Sequence, residues 1–493
     1  MKKTLSIKIL ALFFVLGTLT SCKDLFEKQD IKVNPNNPSI DQVDIDVLLS
    51  AVELGVSVSH EDTDTRIASY WTGSMAGQSR QQAGFQAYIV TAGTFDNSWF
   101  LIYHPAGNAR IVQQKAVAAS NTVALGIAQV LEALQIAKIT SLYGDVPYTQ
   151  AMDLEKFPKP VFDKQTDIYA SLIALLNTAY TNLTTGTGTV STDFFYGSSK
   201  TKWAAAAKTL QARLYLHLKD YANAKAAAQL GISSAAGDML VPHGSAQTID
   251  LNLNFDMFEN SRPGDCGFDE AYLPKFMKGS GNYKRNSKTT DQALYNHYFK
   301  TGVYTSGLDP NTKDGAFTQD APHPILSYFE NQLILAEASA RSGDNSTALT
   351  ALNSVRAELA AGNIYGKTIN ASYTTGGALQ YDAYALADFN PAGIADAGKG
   401  TQTANLLYEI ISQKYTVTLL QYEAFNDLRR LQVATAGAAV KLPIPLNPTA
   451  AATITTYPAR FIISQNEINT NPNVPKTGSG SVADIFQKLP IFQ

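Results

Sequence analysis

The chain has 493 residues, with 39 Lys and Arg against 42 Asp and Glu and a formal net charge of −3. That balance offers no basic surface to nucleic acid, and the length exceeds the roughly 250–300 residues at which one compact core stops growing. Charged residues make up only 16 % of the chain, below the usual value of about a quarter. The difference is filled by Asn, Gln, Ser, Thr and 24 tyrosines, a surface suited to uncharged ligands.

Residues 1–21 read as a signal peptide. Lys2, Lys3 and Lys8 make a positive start, and the apolar run from Ile9 to Leu19 is too short to span a bilayer as a permanent helix. Leu19-Thr20-Ser21-Cys22 looks like a bacterial lipobox, which makes Cys22 the acylated mature N-terminus and a stable anchor. Cys266 is the only other cysteine, so with Cys22 lipidated no intrachain disulfide is expected. Residues 22–40 hold no apolar period and read as a lipidated tether; residues 41–493 read as a single helical domain. No later stretch is expected to cross a membrane.

Asp41 to Val58 has the spacing of a first helix, with Val43, Ile45, Leu48, Leu49, Val52 and Val56 inward. Thr63 to Ala76 is a second candidate, carrying Tyr70 and Trp71. Gly77 to Asp96 reads as a loop or short hairpin with Phe85, Tyr88 and Phe95. Trp99 to Ser120 and Val123 to Leu142 resume helical spacing, and the second of these stops at Gly144 and Pro147. Gln165 to Leu183 is helical. Trp203 to Ser233 reads as a helical hairpin broken at Lys219-Asp220.

The clearest unit is Pro324 to Leu359. Leu326, Phe329, Leu333, Ala336 and Ala340 fall on one helical face. Ser342-Gly343-Asp344-Asn345 breaks the run, and Ala348, Leu352, Val355 and Leu359 resume it. Helices joined by so short a turn lie antiparallel, and alanines at inward positions let the backbones approach. The unit resembles a tetratricopeptide hairpin, which cannot bury its outer face alone and so implies neighbours.

From Gly237 to His323 the period disappears. A loop of that length inside a compact domain is rare unless it has a function, and this stretch reads as an insertion of short strands and turns. Gly362 to Gly400 is a second irregular stretch. Thr403 to Val433 is a long helical run, and the proline-rich tail after it must be extended and pinned by the helical body.

Few motifs carry chemistry. Gly362 to Thr368 mimics a phosphate loop but has the wrong spacing and follows a helix. Asp309 to Gly315 resembles a calcium loop with its glycine one place late, and a solvated turn is the favoured reading. His60-Glu61-Asp62 with Asp64 fits no named metal site. No G-x-S-x-G or HExxH pattern occurs, although paired carboxylates of a hydrolase would be invisible in sequence. No catalytic residue, metal or cofactor is expected.

The aromatics divide by spacing. Trp99, Phe100, Tyr103 and Trp203 recur at helical steps and read as core. Tyr70, Trp71, Tyr88 and Phe95 flank the polar segment Gln78 to Gln86 with Arg80 inside it, which would make an exposed stacking face with polar partners. The insertion adds Tyr272, Tyr283, Tyr295, Tyr298 and Tyr304. For each of these, burial is the competing reading.

Taken in order, LTSC at Leu19–Cys22, LYGDVPYTQA at Leu142–Ala151, KWAAAAKTLQAR at Lys202–Arg213, LILAEASARSGD at Leu333–Asp344, LNSVR at Leu352–Arg356, YEIISQK at Tyr408–Lys414, YEAFNDLRR at Tyr422–Arg430 and YPARFIISQNEINTN at Tyr457–Asn471 resemble the SusD/RagB family of outer-membrane lipoproteins. Lys23-Asp24 with Glu27 is similar to the surface-export signal of Bacteroidetes lipoproteins. The resemblance implies a mainly α fold, in which tetratricopeptide-like hairpins form a scaffold and the loop-rich insertion with the irregular tail forms the ligand face. It implies a cell-surface, lipid-anchored outer-membrane protein without catalysis that captures oligosaccharide, or peptide, and delivers it to a TonB-dependent, SusC-like transporter. A lipid-anchored secreted hydrolase and a scaffold for proteins alone are the competing readings. The ligand contacts expected from this reading are Tyr70, Trp71, Arg80, Tyr88, Phe95, Tyr283 and Tyr304.

Overall fold

The computed structural model describes residues 43–246, 249–279, 283–432, 440–447, 451–477 and 479–492. The signal peptide, Cys22 and the tether through residue 40 lie outside the described residues.

The chain is mainly helical. In order, the first helices are α1 (Ile45–His60), α2 (Thr63–Trp71), α3 (Arg80–Gln86), α4 (Asp96–Ala118), α5 (Thr122–Tyr143), α6 (Gln165–Thr185), α7 (Lys200–His217) and α8 (Tyr221–Ala228). The insertion holds α9 (Tyr272–Lys278) and α10 (Gln292–Tyr298), and then come α11 (Tyr328–Arg341), α12 (Asn345–Ala360), α13 (Gln402–Val417), α14 (Glu423–Leu431) and α15 (Gln465–Thr470). The body is a continuous stack: α1 packs on α4, α4 on α5, α5 on α6, α6 on α7, α7 on α8, α8 on α11, and α11 on both α12 and α13. α5 is long and apolar enough to cross a bilayer, against the sequence expectation, yet it is buried along almost its whole length and serves as the central core helix.

The α11–α12 hairpin forms as its spacing predicts, with one change at its start. His323–Leu326 is not helix but a strand, β-paired antiparallel to Met239–Val241. The helix begins at Tyr328 because the Ser327 hydroxyl caps it, accepting from the Glu330 amide at 3.1 Å. Gly343 turns the chain at φ +82°, a left-handed conformation that costs glycine little. Asp344 caps α12 through the Thr347 amide at 3.0 Å and pairs with Lys225 of α8 at 2.7 Å. Between this hairpin and the α7–α8 hairpin lies a seam of Ala212, Leu216, Ala224, Ala227, Ala228, Ile334 and Ala338. The small side chains give the close approach expected of such hairpins.

Buried ion pairs tie distant helices together. Arg213 of α7 reaches Glu330 of α11 at 2.6 Å and Glu423 of α14 at 3.5 Å. Arg430 of α14 pairs with Glu337 of α11 at 2.5 Å. Burial opposes ionisation of Glu337, but the adjacent Arg430 and Arg341 outweigh it and hold the carboxyl far below its ordinary range. The expected single helical run from Thr403 to Val433 is in fact α13 and α14, separated by a bend at Thr418–Tyr422.

The insertion is built from short strands, turns and short helices. Strands Lys284–Asn286 and Thr289–Thr290 pair with each other, and the second also pairs with Gln380–Tyr381, so the two irregular stretches share one small sheet. The phosphate-loop mimic is a hairpin, Asn363–Ile364 against Lys367–Thr368. The calcium-like loop is a turn: Asp309 accepts from the amides of Val303, Tyr304 and Thr305 and from the Thr305 hydroxyl, which fills its oxygens. Among the described residues, no group of three or more His, Cys, Asp or Glu side chains is arranged to hold a metal.

Candidate functional site

Trp99 and Trp203 are buried as their spacing predicts and Phe100 is exposed, whereas the aromatics expected to form a stacking face are not at the surface. Tyr70, Trp71, Tyr88 and Phe95 are core residues, between 0 and 6 % exposed. The Trp71 indole donates to the Phe85 carbonyl at 3.0 Å. The Tyr70 hydroxyl donates to Gln82 Oε1 at 2.9 Å and lies 2.9 Å from Cys266 Sγ. The Tyr88 hydroxyl accepts from the Asn447 amide at 3.0 Å. The expected stacking face at this segment is therefore absent. Its outer side is covered by Phe425 of α14 and by Phe461 of the tail, which the period of α2 could not reveal. Arg80 is exposed, and its guanidinium is engaged by Asp265 at 2.8 Å.

A cleft of about 440 Å³ opens instead between α9, the Lys284–Asn286 strand, the segment 394–397 and α13. Tyr272 and Phe276 project from successive turns of α9, with ring centroids 5.9 Å apart, and Tyr408 faces them from α13. All three are half-buried. Behind them Tyr415 packs on both α9 rings, and its hydroxyl donates to the Thr72 carbonyl at 2.9 Å, which anchors this wall to the core. Burial pushes the Tyr272 phenol up to about 12 and raises that of Tyr408.

Polar groups converge on the same space. Arg285 lies 2.8 Å from Asp291 and 3.6 Å from Glu409, and it donates to Gln413 Oε1 at 3.3 Å. Burial works against its charge, but Asp291 and Glu409 outweigh that and raise its pKa. Arg356 approaches Glu409 from the other side at 3.6 Å. The buried Ser412 hydroxyl lines the cleft and has no hydrogen-bond partner among the described residues. Asp396 holds the loop at the rim by accepting from the amides of Ala392 and Gly398, which lower its pKa. Half-buried rings beside fixed ionic, hydroxyl and amide groups can stack on an apolar ligand face and bind its polar edges.

Of the expected contacts, Tyr283 comes nearest. It precedes Lys284 and Arg285 of the cleft strand, but its ring packs on Tyr295 at 4.6 Å and the cleft is lined without it. Tyr304 is away from the cleft, with its hydroxyl 3.1 Å from that of Thr312. Tyr295 and Tyr298 are buried. Sequence reasoning missed Phe276 and Tyr408. Tyr408 sits in an ordinary amphipathic helix, where only its position two residues after Leu406 places it off the core face.

Residues 35–245 match the SusD-like_2 family model, described as starch-binding associating with outer membrane. Solved structures match over nearly the full length. A SusD/RagB family protein from Bacteroides thetaiotaomicron is 22 % identical with a TM-score of 0.67, covering 88 % of this chain and 95 % of that one. A SusD homologue from Bacteroides fragilis is 18 % identical with a TM-score of 0.69, covering 92 % and 100 %. A protein described as chitin-binding is 18 % identical with a TM-score of 0.65, covering 91 % and 99 %. No curated protein matches the sequence.

Proposed function

We propose that this SusD-like protein is a nutrient-binding protein of the outer membrane that captures an oligosaccharide in the cleft between α9 and α13. The reading places it on the cell surface, anchored through acylated Cys22, and has it deliver the ligand to a TonB-dependent transporter of the SusC type. The observation that carries the ligand class is the set of half-buried rings of Tyr272, Phe276 and Tyr408 beside the free Ser412 hydroxyl and the Arg285–Glu409 pair. The family description over residues 35–245 and the likeness to a chitin-binding protein support it. Peptide is the second reading, favoured by charges of both signs among the lining residues, Lys275, Lys284 and Asp396, which would suit chain termini and side chains.

Calorimetric titration with panels of neutral oligosaccharides and of short peptides tests this. The expected result is saturable binding of a glycan that Tyr408→Ala weakens by about tenfold or more, with circular dichroism unchanged. Saturable binding of peptides alone would transfer the site to the second reading. Undiminished glycan binding by Tyr408→Ala would remove the cleft as the site. Turnover of labelled glycans or peptides by the protein alone would replace the binding role with a hydrolytic one.

A further inference from the structure

A second groove, which shares no lining residue with the cleft, runs along the outer face of α4. Trp99, Phe100, Tyr103 and His104 stand there, read from their spacing as core with the exception of His104. Phe100 is 59 % exposed and pairs with the His104 ring at 5.2 Å, while Trp99 pairs with Tyr103 at the same separation. The walls are the segment Pro147–Pro160 and α15. Both are fastened to the body. The Tyr103 hydroxyl donates to the Pro147 carbonyl at 2.6 Å, and Arg110 donates to the carbonyls of Tyr148 and Ala151 at 3.0 and 2.9 Å. Asp96 accepts from the Ser464 hydroxyl at 2.5 Å and the Asn466 amide at 3.0 Å.

Met152 closes the floor. Its side chain lies where a Cβ on Gly107 would meet it at 3.5 Å, so a larger residue on α4 would press into the groove. Its backbone is left-handed, at φ +66°, and unfavourable backbone of this kind persists where the surroundings over-determine it and clusters at binding sites. Leu154, 69 % exposed, stands on the rim. The groove is open to solvent, and its volume of about 520 Å³ falls within the range of roughly 300–1,000 Å³ typical of pockets for small ligands.

The chemistry selects among occupants. The lining is predominantly apolar, so a sugar would lose water from hydroxyls that find few partners there. No Lys or Arg is among the lining residues, and the carboxylates of Asp96 and Glu467 are. Asp96 holds Ser464 and Asn466 through Oδ1 alone. Glu467 is half-buried, with its pKa raised by that burial, and accepts one bond from Asn471 at 2.7 Å. A neutral or cationic ligand with a planar or branched apolar group fits these conditions, and an anion does not. We propose that the α4 groove is a second binding site, taking the aromatic or branched aliphatic side chain of a neutral or cationic peptide. The proposal stands without the oligosaccharide reading of the cleft.

The test is calorimetric titration of the full mature chain with acetyl-Gly-Phe-Lys-amide, acetyl-Gly-Phe-Glu-amide and acetyl-Gly-Gly-Lys-amide, repeated with Phe100→Ala, Gly107→Leu and Tyr408→Ala. Phe100 is exposed, so its removal leaves the fold intact. Saturable binding is expected of the first peptide, with weaker or no binding of the other two. Phe100→Ala should weaken it by about tenfold or more, Gly107→Leu should block it, and Tyr408→Ala should leave it unchanged. Equal affinity for all three peptides, or wild-type affinity in both groove variants, would overturn the proposal. Loss of binding in Tyr408→Ala would assign the peptide to the cleft. Self-association in sedimentation that Phe100→Ala abolishes would assign the groove to a second copy of the chain instead.

Discussion

The indole of Trp71 meets the ring of Phe461 edge to face with centroids 5.1 Å apart, joining the end of α2 to a tail segment nearly four hundred residues later. Phe461 in turn stacks on Phe95 at 4.7 Å and on Phe425 at 5.7 Å. The tail is therefore part of the core, and the aromatics around the polar segment Gln78 to Gln86 close that core over.

Trp71→Ala is accordingly a stability variant. Truncating a fully buried tryptophan removes transfer free energy and leaves a cavity, at a cost of about 3–5 kcal/mol. The indole N–H bond to Phe85 is lost with it. Thermal and urea unfolding should both shift strongly. A folded variant with wild-type melting and a specific loss of ligand affinity would contradict the burial described here.

Gly343→Val should also destabilise the body, by roughly 1–3 kcal/mol. A Cβ at this position meets nothing within 4 Å, so the cost is backbone strain at φ +82° and not a clash. Gly343→Asn, which tolerates the left-handed region better, should lose less. Equal melting temperatures for the wild type and both variants would rule out the turn as a constraint.

Glu53 gives a pH dependence of unusual sign. Burial, and then the neighbouring Asp193, push its carboxyl from 4.5 up to about 9, while its Oε2 accepts from the Phe194 amide at 3.0 Å. Between those two values the folded chain holds a proton that the unfolded chain has released. Stability from this group is therefore fully present below the unfolded value and is lost as pH rises toward the folded one. Glu53→Gln keeps the shape and the acceptor but has nothing to titrate. Urea midpoints measured from pH 5 to 9 should fall less steeply for the variant than for the wild type, and parallel curves would exclude Glu53 as the source.

Cys22→Ala follows from the proposed anchor. Loss of the acylated residue removes the strong membrane attachment, so the variant should move from the membrane fraction to the soluble fraction with its fold intact. Membrane retention of the folded variant would refute lipid anchoring through Cys22.

The amino-acid sequence alone determined most of the body helices and the α7–α8 and α11–α12 hairpins, though not α3 or the bend between α13 and α14, because a 3.6-residue period and a turn glycine act within a few residues of one another. Leu333, Ala336 and Ala340 face inward for reasons contained in α11 and its neighbour, whereas the start of α11 after Ser327 follows the strand pairing of His323–Leu326 with Met239–Val241. Burial of an aromatic is a different kind of property. It depends on what arrives from elsewhere in the chain. Trp71 is covered because Phe425 and Phe461 reach it, and Phe100, one position along α4 from the buried Trp99, stays exposed on the open side of the groove. The cleft likewise assembles Phe276 from the insertion and Tyr408 from a scaffold helix, more than a hundred residues apart. Local periodicity says which side chains share a face; only the packing of distant segments decided which faces stay open to a ligand.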